Sequence, residues 1–317
     1  MALIMSEIDL ECEVDSNPEM PNKIVIDDIQ SFILSSKKEN DRNNKLRERI
    51  INNIINSSIP DEYYNDSRWY NLKEEVNYYI RELMKSKQID TIIHINCLIM
   101  AGRNHNYDYK ITINDHVFYV ELKYNAQKLN DAPQFVSPMN PSQFMINLEQ
   151  ISFENHHHTY LSQLLEDTSI TVPDIDEYNR DIHSTKPKCF IKAQDKYYRG
   201  CSKSSRYSGD KSDIDFYQKA NKISKESIKE FIRKSELDHK KLTDYLLKTQ
   251  LDKNYMLYKD GKLYLQKINP DDYTIVSCEK NKQMNGYIAT SKTGIKIKIL
   301  LRWKNGNGIA FPAFQIK

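Results

Sequence analysis

Between residues 41 and 87 the apolar positions recur at steps of three and four, whereas from 91 to 124 they fall into dense runs and strict alternation. The first regime predicts helices. From Asp41 onward Leu46, Ile50, Ile54 and Ile55 share one face, and Pro60 lies beyond the end. Over about 70–87, Leu72, Val76, Tyr79, Ile80, Leu83 and Met84 form a second stripe that leaves Glu74, Glu75 and Glu82 off it. The second regime predicts strands. Thr91–Met100 (TIIHINCLIM) is rich in β-branched residues and reads as a largely buried strand, with His94 a satisfied core histidine. Tyr107–Ile113 alternates, Asn114-Asp115 supplies a tight-turn pair, and Val117–Tyr124 resumes as a strand. The expectation is a helix followed by a three-strand meander.

Downstream the pattern loosens. Residues 141–166 read as partly helical and interrupted at His156-His157-His158, a surface run, since consecutive histidines cannot all face one ion in regular structure. Pro173, Pro187 and Gly200 punctuate a loop-rich stretch. Ser224–Thr249 predicts two short amphipathic helices carrying Ile228, Phe231 and Ile232, then Leu242, Tyr245 and Leu246. The last third turns to β structure, with hairpin signals at Asp260-Gly261 and across Asn305–Gly308. Residues 1–24 lack periodicity and read as a mobile arm. The chain thus divides into an arm at 1–24, a core with N-terminal helices at 25–170, and a further region of helices then antiparallel β at 171–317.

Composition narrows the class. Hydrophobic residues at 39% and charged residues at 28% fit a folded globular chain. No apolar run approaches the roughly 18–20 residues of a bilayer span, so no membrane partner is expected. The acidic N-terminus does not resemble a secretory signal, which favours an intracellular, cytoplasmic place and leaves nuclear or virion-associated ones open. Five scattered cysteines without CxxC spacing argue against a disulfide framework and a zinc ribbon. The net charge of +2 hides an uneven distribution: 1–20 is acidic, while 186–241 and 280–304 combine Lys and Arg with Tyr. In the tract 192–211, Lys196, Arg199, Lys203 and Arg206 suit a phosphate-tracking loop or an ordinary solvated one. Lys296, Lys298, Arg302 and Lys304, at alternating positions, would line a nucleic-acid groove or form a sheet's wet face.

The candidate chemistry lies in the meander. Glu121 and Lys123 are two apart on one strand and share a face, while Leu122 points to the other. A hairpin turning at Asn114-Asp115 brings Asp108 beside them; Asp115 is the rival first acid, but its place at the tip suits turn chemistry. Two acids and a lysine on apolar strands need partners. A hard divalent cation held by carboxylates, waters and substrate phosphate supplies one. Such an ion polarises a phosphoryl oxygen and activates water; Lys123 would stabilise negative charge and orient or deprotonate the nucleophile.

The segment NYDYKITINDHVFYVELKYNA, residues 106–126, resembles the motif of the PD-(D/E)xK nuclease superfamily, which includes many type II restriction endonucleases. The resemblance implies that Asp108, Glu121 and Lys123 are catalytic, and that Mg²⁺, with Mn²⁺ as a substitute, sits on Asp108, Glu121 and Leu122. Tyr107 stands where the family name has proline. LNDAPQF, residues 129–135, resembles the segment after the motif, so Gln134 would contact substrate phosphate or water, and Glu75 is a candidate for an additional acid from the preceding helix. The implied fold is α/β, a restriction-endonuclease-like mixed sheet flanked by helices, with a β-rich basic C-terminal region. The implied function is site-specific cleavage of double-stranded DNA by a homodimer matched to a palindromic site. Alternatives are a non-catalytic nucleic-acid-binding module, a nuclease acting on RNA or branched DNA, and an interaction protein with an acidic partner.

Overall fold

Both helices expected before the meander form, as α1 (Asn40–Ile55) and α2 (Ser67–Lys85). The computed structural model describes residues 24–33, 40–100, 105–129, 135–136, 140–147, 156–166, 168–182, 191–303 and 312–317. Asp66 caps α2 by accepting the Arg68 N–H at 2.8 Å. The helix then buries Trp69, Leu72, Val76, Tyr79 and Leu83, each contributing roughly 1.5–3 kcal/mol. A short helical segment, Ile26–Phe32, packs before α1. Arg47 of α1 fixes it there: its Nε donates to Ser31 O at 2.6 Å, and its guanidinium lies 3.4 Å from the Tyr124 ring centroid.

The meander follows as β1 (Ile95–Ile99), β2 (Tyr109–Ile113) and β3 (His116–Tyr124), all antiparallel. Asn114 turns the β2–β3 hairpin with φ of 52°, a conformation asparagine tolerates. Its side chain also accepts from the Ile93 and His94 N–H groups and donates to Thr91 O, fixing the approach to β1. Here the strand expected to be largely buried departs from expectation. β1 is the edge of its sheet; Cys97 is buried, while Leu98 on the opposite face, Ile92, Ile93 and His94 are exposed. A run rich in β-branched residues does not reveal that one of its sides lacks a cover. The Asn56 amide closes the outer edge, bonding both Cys97 O (2.9 Å) and Cys97 N (2.8 Å).

Next come β4 (Phe135–Val136), α3 (Ser162–Leu165), α4 (Ile175–Ile182), α5 (Ile191–Gly200), α6 (Lys211–Lys234) and α7 (His239–Gln250). The chain ends with β5 (Lys253–Lys259), β6 (Lys262–Gln266), α8 (Pro270–Tyr273), β7 (Ile275–Lys280), β8 (Gly286–Ser291), β9 (Lys296–Trp303) and β10 (Pro312–Ile316). Three expectations change. The basic tract at 192–211 begins as helix α5, because Ala193 and Tyr197 pack into a core shared with α6. A Cβ on Gly200 would lie 2.0 Å from Asp213 O, so the two helices meet there at backbone distance. And α6 starts well before 224, where Asp210 caps it through the Ser212 and Asp213 N–H groups. His156 is also buried, its ring centroid 4.3 Å from that of Trp303, rather than part of a surface run.

The molecule is α/β, with a mixed sheet of order β1-β2-β3-β5-β6 and an antiparallel sheet of order β4-β10-β9-β8-β7. The chain therefore does not separate at residue 170. β5 and β6, from the C-terminal half, complete the first sheet, β5 running parallel to β3. Alternate residues of β5 enter different cores. Met256 and Tyr258 pack with α1, α2 and the meander, while Tyr255 and Leu257 pack with α6, α7 and the second sheet. Among the described residues no helix is long and apolar enough to cross a membrane. The hairpin signal expected at 305–308 and the greater part of the arm at 1–24 lie outside the described residues.

Candidate active site

The β2–β3 pairing places the three predicted residues together. Asp108 sits just before β2, and its backbone continues the ladder: its N–H donates to Val120 O at 2.9 Å, and its C=O accepts from Met100 N at 2.8 Å. Since Tyr109 pairs with Val120, one further step sets Asp108 opposite Glu121 on the same face. One carboxylate oxygen of Asp108 accepts the Leu122 N–H at 2.8 Å, which fixes its orientation. Glu121 and Lys123 share that face, and Lys123 Nζ donates to Glu121 Oε1.

A second lysine, which the sequence reading missed, completes the cluster. Lys253 opens β5 opposite Tyr119, and its Nζ donates to Glu121 Oε2. Only 4% of the Lys253 side chain is exposed, against 20% for Lys123 and 13% for Glu121. Glu121 is thus held between an inner and an outer ammonium. A third acid lies on α1: Glu48, whose backbone carbonyl receives the Tyr109 hydroxyl at 3.2 Å and whose carboxyl feels the charge of Asp108.

The electrostatics follow from this count. Burial, reinforced by the charge of Glu121, pushes the Asp108 carboxyl up to about 6, against the opposing pull of the Leu122 N–H and the two lysines. Burial and then repulsion from Asp108 push Glu48 up to about 7. Burial also acts against an ionised Glu121, but the two lysines outweigh it and hold that carboxyl below its usual range. Burial draws the Lys253 ammonium down while Glu121 pulls it back up. Glu121 is the settled anion; Asp108 and Glu48 are compensated only in part.

Partly compensated, buried carboxylates beside a part-exposed lysine fit a hard divalent cation in donor chemistry. Mg²⁺ commonly needs only one or two protein carboxylates, taking the rest of its shell from water and phosphate. Among the described residues no three His, Cys, Asp or Glu side chains converge closely enough to hold an ion by themselves. Asp108 and Glu121 are the donors of the right kind, and Leu122, whose side chain packs against the first core, has only its main-chain carbonyl to offer.

The other expected site residues fall elsewhere. Glu75 bonds Lys262 Nζ at 2.6 Å and the Leu263 N–H at 3.0 Å, stitching α2 to β6, so the helical acid coupled to Asp108 is Glu48 instead. In the basic tract, Arg199 pairs with Asp213 at 2.9 Å, Arg206 approaches Asp195 at 3.5 Å, and Lys196 lies 5.6 Å from the Phe216 ring centroid. Lys203 is exposed. Arg302 donates to Gln315 from the outer face of β9. Gln134 and Lys304 lie outside the described residues.

One signal for Lys253 was present: a lysine opening a strand whose first six residues are all buried. Its partner is 132 positions away, so the sequence could flag the anomaly without naming the acid. Glu48 had no such signal, being an acid within an ordinary amphipathic helix. No family model, no curated protein and no solved structure matches the chain, so the chemistry of this cluster stands on its own geometry.

Proposed function

We propose that the protein is a Mg²⁺-dependent nuclease of the PD-(D/E)xK type, restriction-endonuclease-like in its core, hydrolysing phosphodiester bonds of DNA. The observation that carries this reading is the convergence of Asp108, Glu121 and Lys123 on one face of neighbouring strands, with the acids desolvated and the lysine part-exposed.

Asp108 and Glu121 would hold the ion, which when bound polarises a phosphoryl oxygen and makes water a better nucleophile. Lys123, the outer of the two lysines on Glu121, is the one able to leave it for a phosphate oxygen and stabilise charge developing there. Lys253 stays beneath Glu121 and keeps it ionised and aimed. Site-specific cutting of duplex DNA by a homodimer is the version the sequence favours; the geometry supports the hydrolytic chemistry.

The direct test incubates purified protein with plasmid, single-stranded DNA and RNA in Mg²⁺, beside Asp108→Asn and Lys123→Ala. Cleavage by the parent alone supports the proposal. Equal cleavage by all three proteins would place the chemistry elsewhere.

A further inference from the structure

We propose that the uncovered face of β1, β2 and β3 seats unpaired nucleotides beside the scissile phosphate, so that the substrate is a single strand or a duplex opened at the cut. The inference rests on the nuclease reading and adds to it the form of nucleic acid.

Strand pairing sets residues in rows across this face. One row, extended a step beyond the ladder, carries Asp108 and Glu121; the next carries Leu98, Lys110 and Tyr119, and beyond Tyr119 along β3 lies Val117. The opposite face is covered by α1 and α2. Beyond the desolvated Asp108–Glu121 row this one is exposed among the described residues: Leu98 is 48% exposed, Val117 42% and Tyr119 37%. A wet sheet face is ordinarily polar, so large apolar and aromatic side chains here need an occupant.

Aromatic geometry identifies it. The Tyr107 and Tyr119 ring centroids are 4.6 Å apart with 34° between planes, and His105 follows at 5.3 Å from Tyr107. Two ring contacts thus join His105, Tyr107 and Tyr119, and Tyr107 is the residue immediately before Asp108. Such rings stack on bases at roughly 1–3 kcal/mol each, and a base inside a duplex has no free face to offer them. Lys110 lies in the same row as Tyr119 and makes no ion pair among the described residues, so its charge is available to a phosphate. Strand addition by a second copy is disfavoured, because Asn56 already occupies the outward N–H and C=O of Cys97 at the middle of the β1 edge.

The test is fluorescence anisotropy with full-length protein in EDTA, using one labelled oligonucleotide alone and annealed to its complement. The single strand should bind more tightly than the blunt duplex. Tyr119→Ala should weaken single-strand binding about tenfold with little change for the duplex, and Tyr119→Phe, which keeps the ring, should bind as the parent does. Equal affinity for both forms, or a Tyr119→Ala variant that binds the single strand unchanged, would overturn the proposal. So would a dimer in sedimentation that Tyr119→Ala dissolves, since the face would then belong to a second copy. Absence of Mg²⁺-dependent cleavage, with strand preference and its loss in Tyr119→Ala intact, would overturn the nuclease reading alone.

Discussion

β3 and β9 are written in the same code and end in different environments. Both carry charged residues spaced by two among apolar ones, Glu121 and Lys123 on β3 and Lys296 and Lys298 on β9. On β9 the alternation resolves as amphipathic strands usually do: Ile297, Ile299, Leu301 and Trp303 are buried, while Lys296, Lys298 and Arg302 face water. On β3 the apolar set is likewise buried at Phe118 and Val120, but Glu121 and Lys123 are largely withdrawn from solvent. The neighbouring strand makes the difference. β9 lies between β8 and β10, which leave its charged face open; the end of β3 lies against β5, six of whose seven residues are buried. Charges spaced by two on a strand are therefore solvated or desolvated according to a partner that local sequence does not reveal.

That contrast can be broken by experiment, and the largest effect concerns activity. Asp108→Asn should lower Mg²⁺-dependent cleavage by about 10³-fold or more, the several kcal/mol an ion-holding carboxylate supplies, without lowering the melting temperature. Plasmid nicking beside a thermal melt reads both. A melt that collapses with the activity would mean that Asp108 is structural. The next effect is on stability. Lys253→Met leaves Glu121 with its outer lysine alone and should cost about 3 kcal/mol in a denaturant titration, much of it recovered when Glu121→Gln is added. If the pair of changes simply adds, the ion pair is not the unit described here.

The pH dependence is of similar size, and its sign is fixed. Asp108 rises from an ordinary 3.8 to about 6, and Glu48 from 4.5 to about 7. Between the lower and upper values the folded protein holds protons that the unfolded chain has released, so stability falls as pH rises through the window. The loss should be about 3 kcal/mol from Asp108 alone by neutral pH, with a smaller, solvent-screened share from Glu48. Mg²⁺ should restore it, raising the melting temperature more at pH 8 than at pH 5. An equal effect of Mg²⁺ at both values would place the ion away from these two acids. The smallest effect sharpens the comparison from the other side: Lys298→Met on β9 should change stability by no more than about 0.5 kcal/mol.

Much of this was legible beforehand because it is local. The stripe in α2, the alternation of β2, the turn at Asn114 and the Asp260-Gly261 hairpin, whose residues take φ of 49° and 80°, each follow from a few consecutive residues. The trio Asp108, Glu121 and Lys123 was legible for the same reason, since one hairpin brings it together. What escaped was set at long range. Lys253 reaches Glu121 across a parallel pairing between distant segments. Glu48 comes from a helix whose periodicity gave no hint of its neighbour. The exposure of Leu98 on β1 depends on which face of the sheet the helices cover, which is a property of the sheet and not of the strand.

The position of β5 has a consequence for how the molecule comes apart. Because Met256 and Tyr258 anchor one core and Tyr255 and Leu257 the other, neither half has a complete interior without this strand. Melting should then run as one cooperative transition under both optical and calorimetric observation, and a fragment ending before β5 should not fold. Integrity of the second layer thereby becomes a condition for the ionic cluster in the first, since loosening α7 would release the strand that carries Lys253.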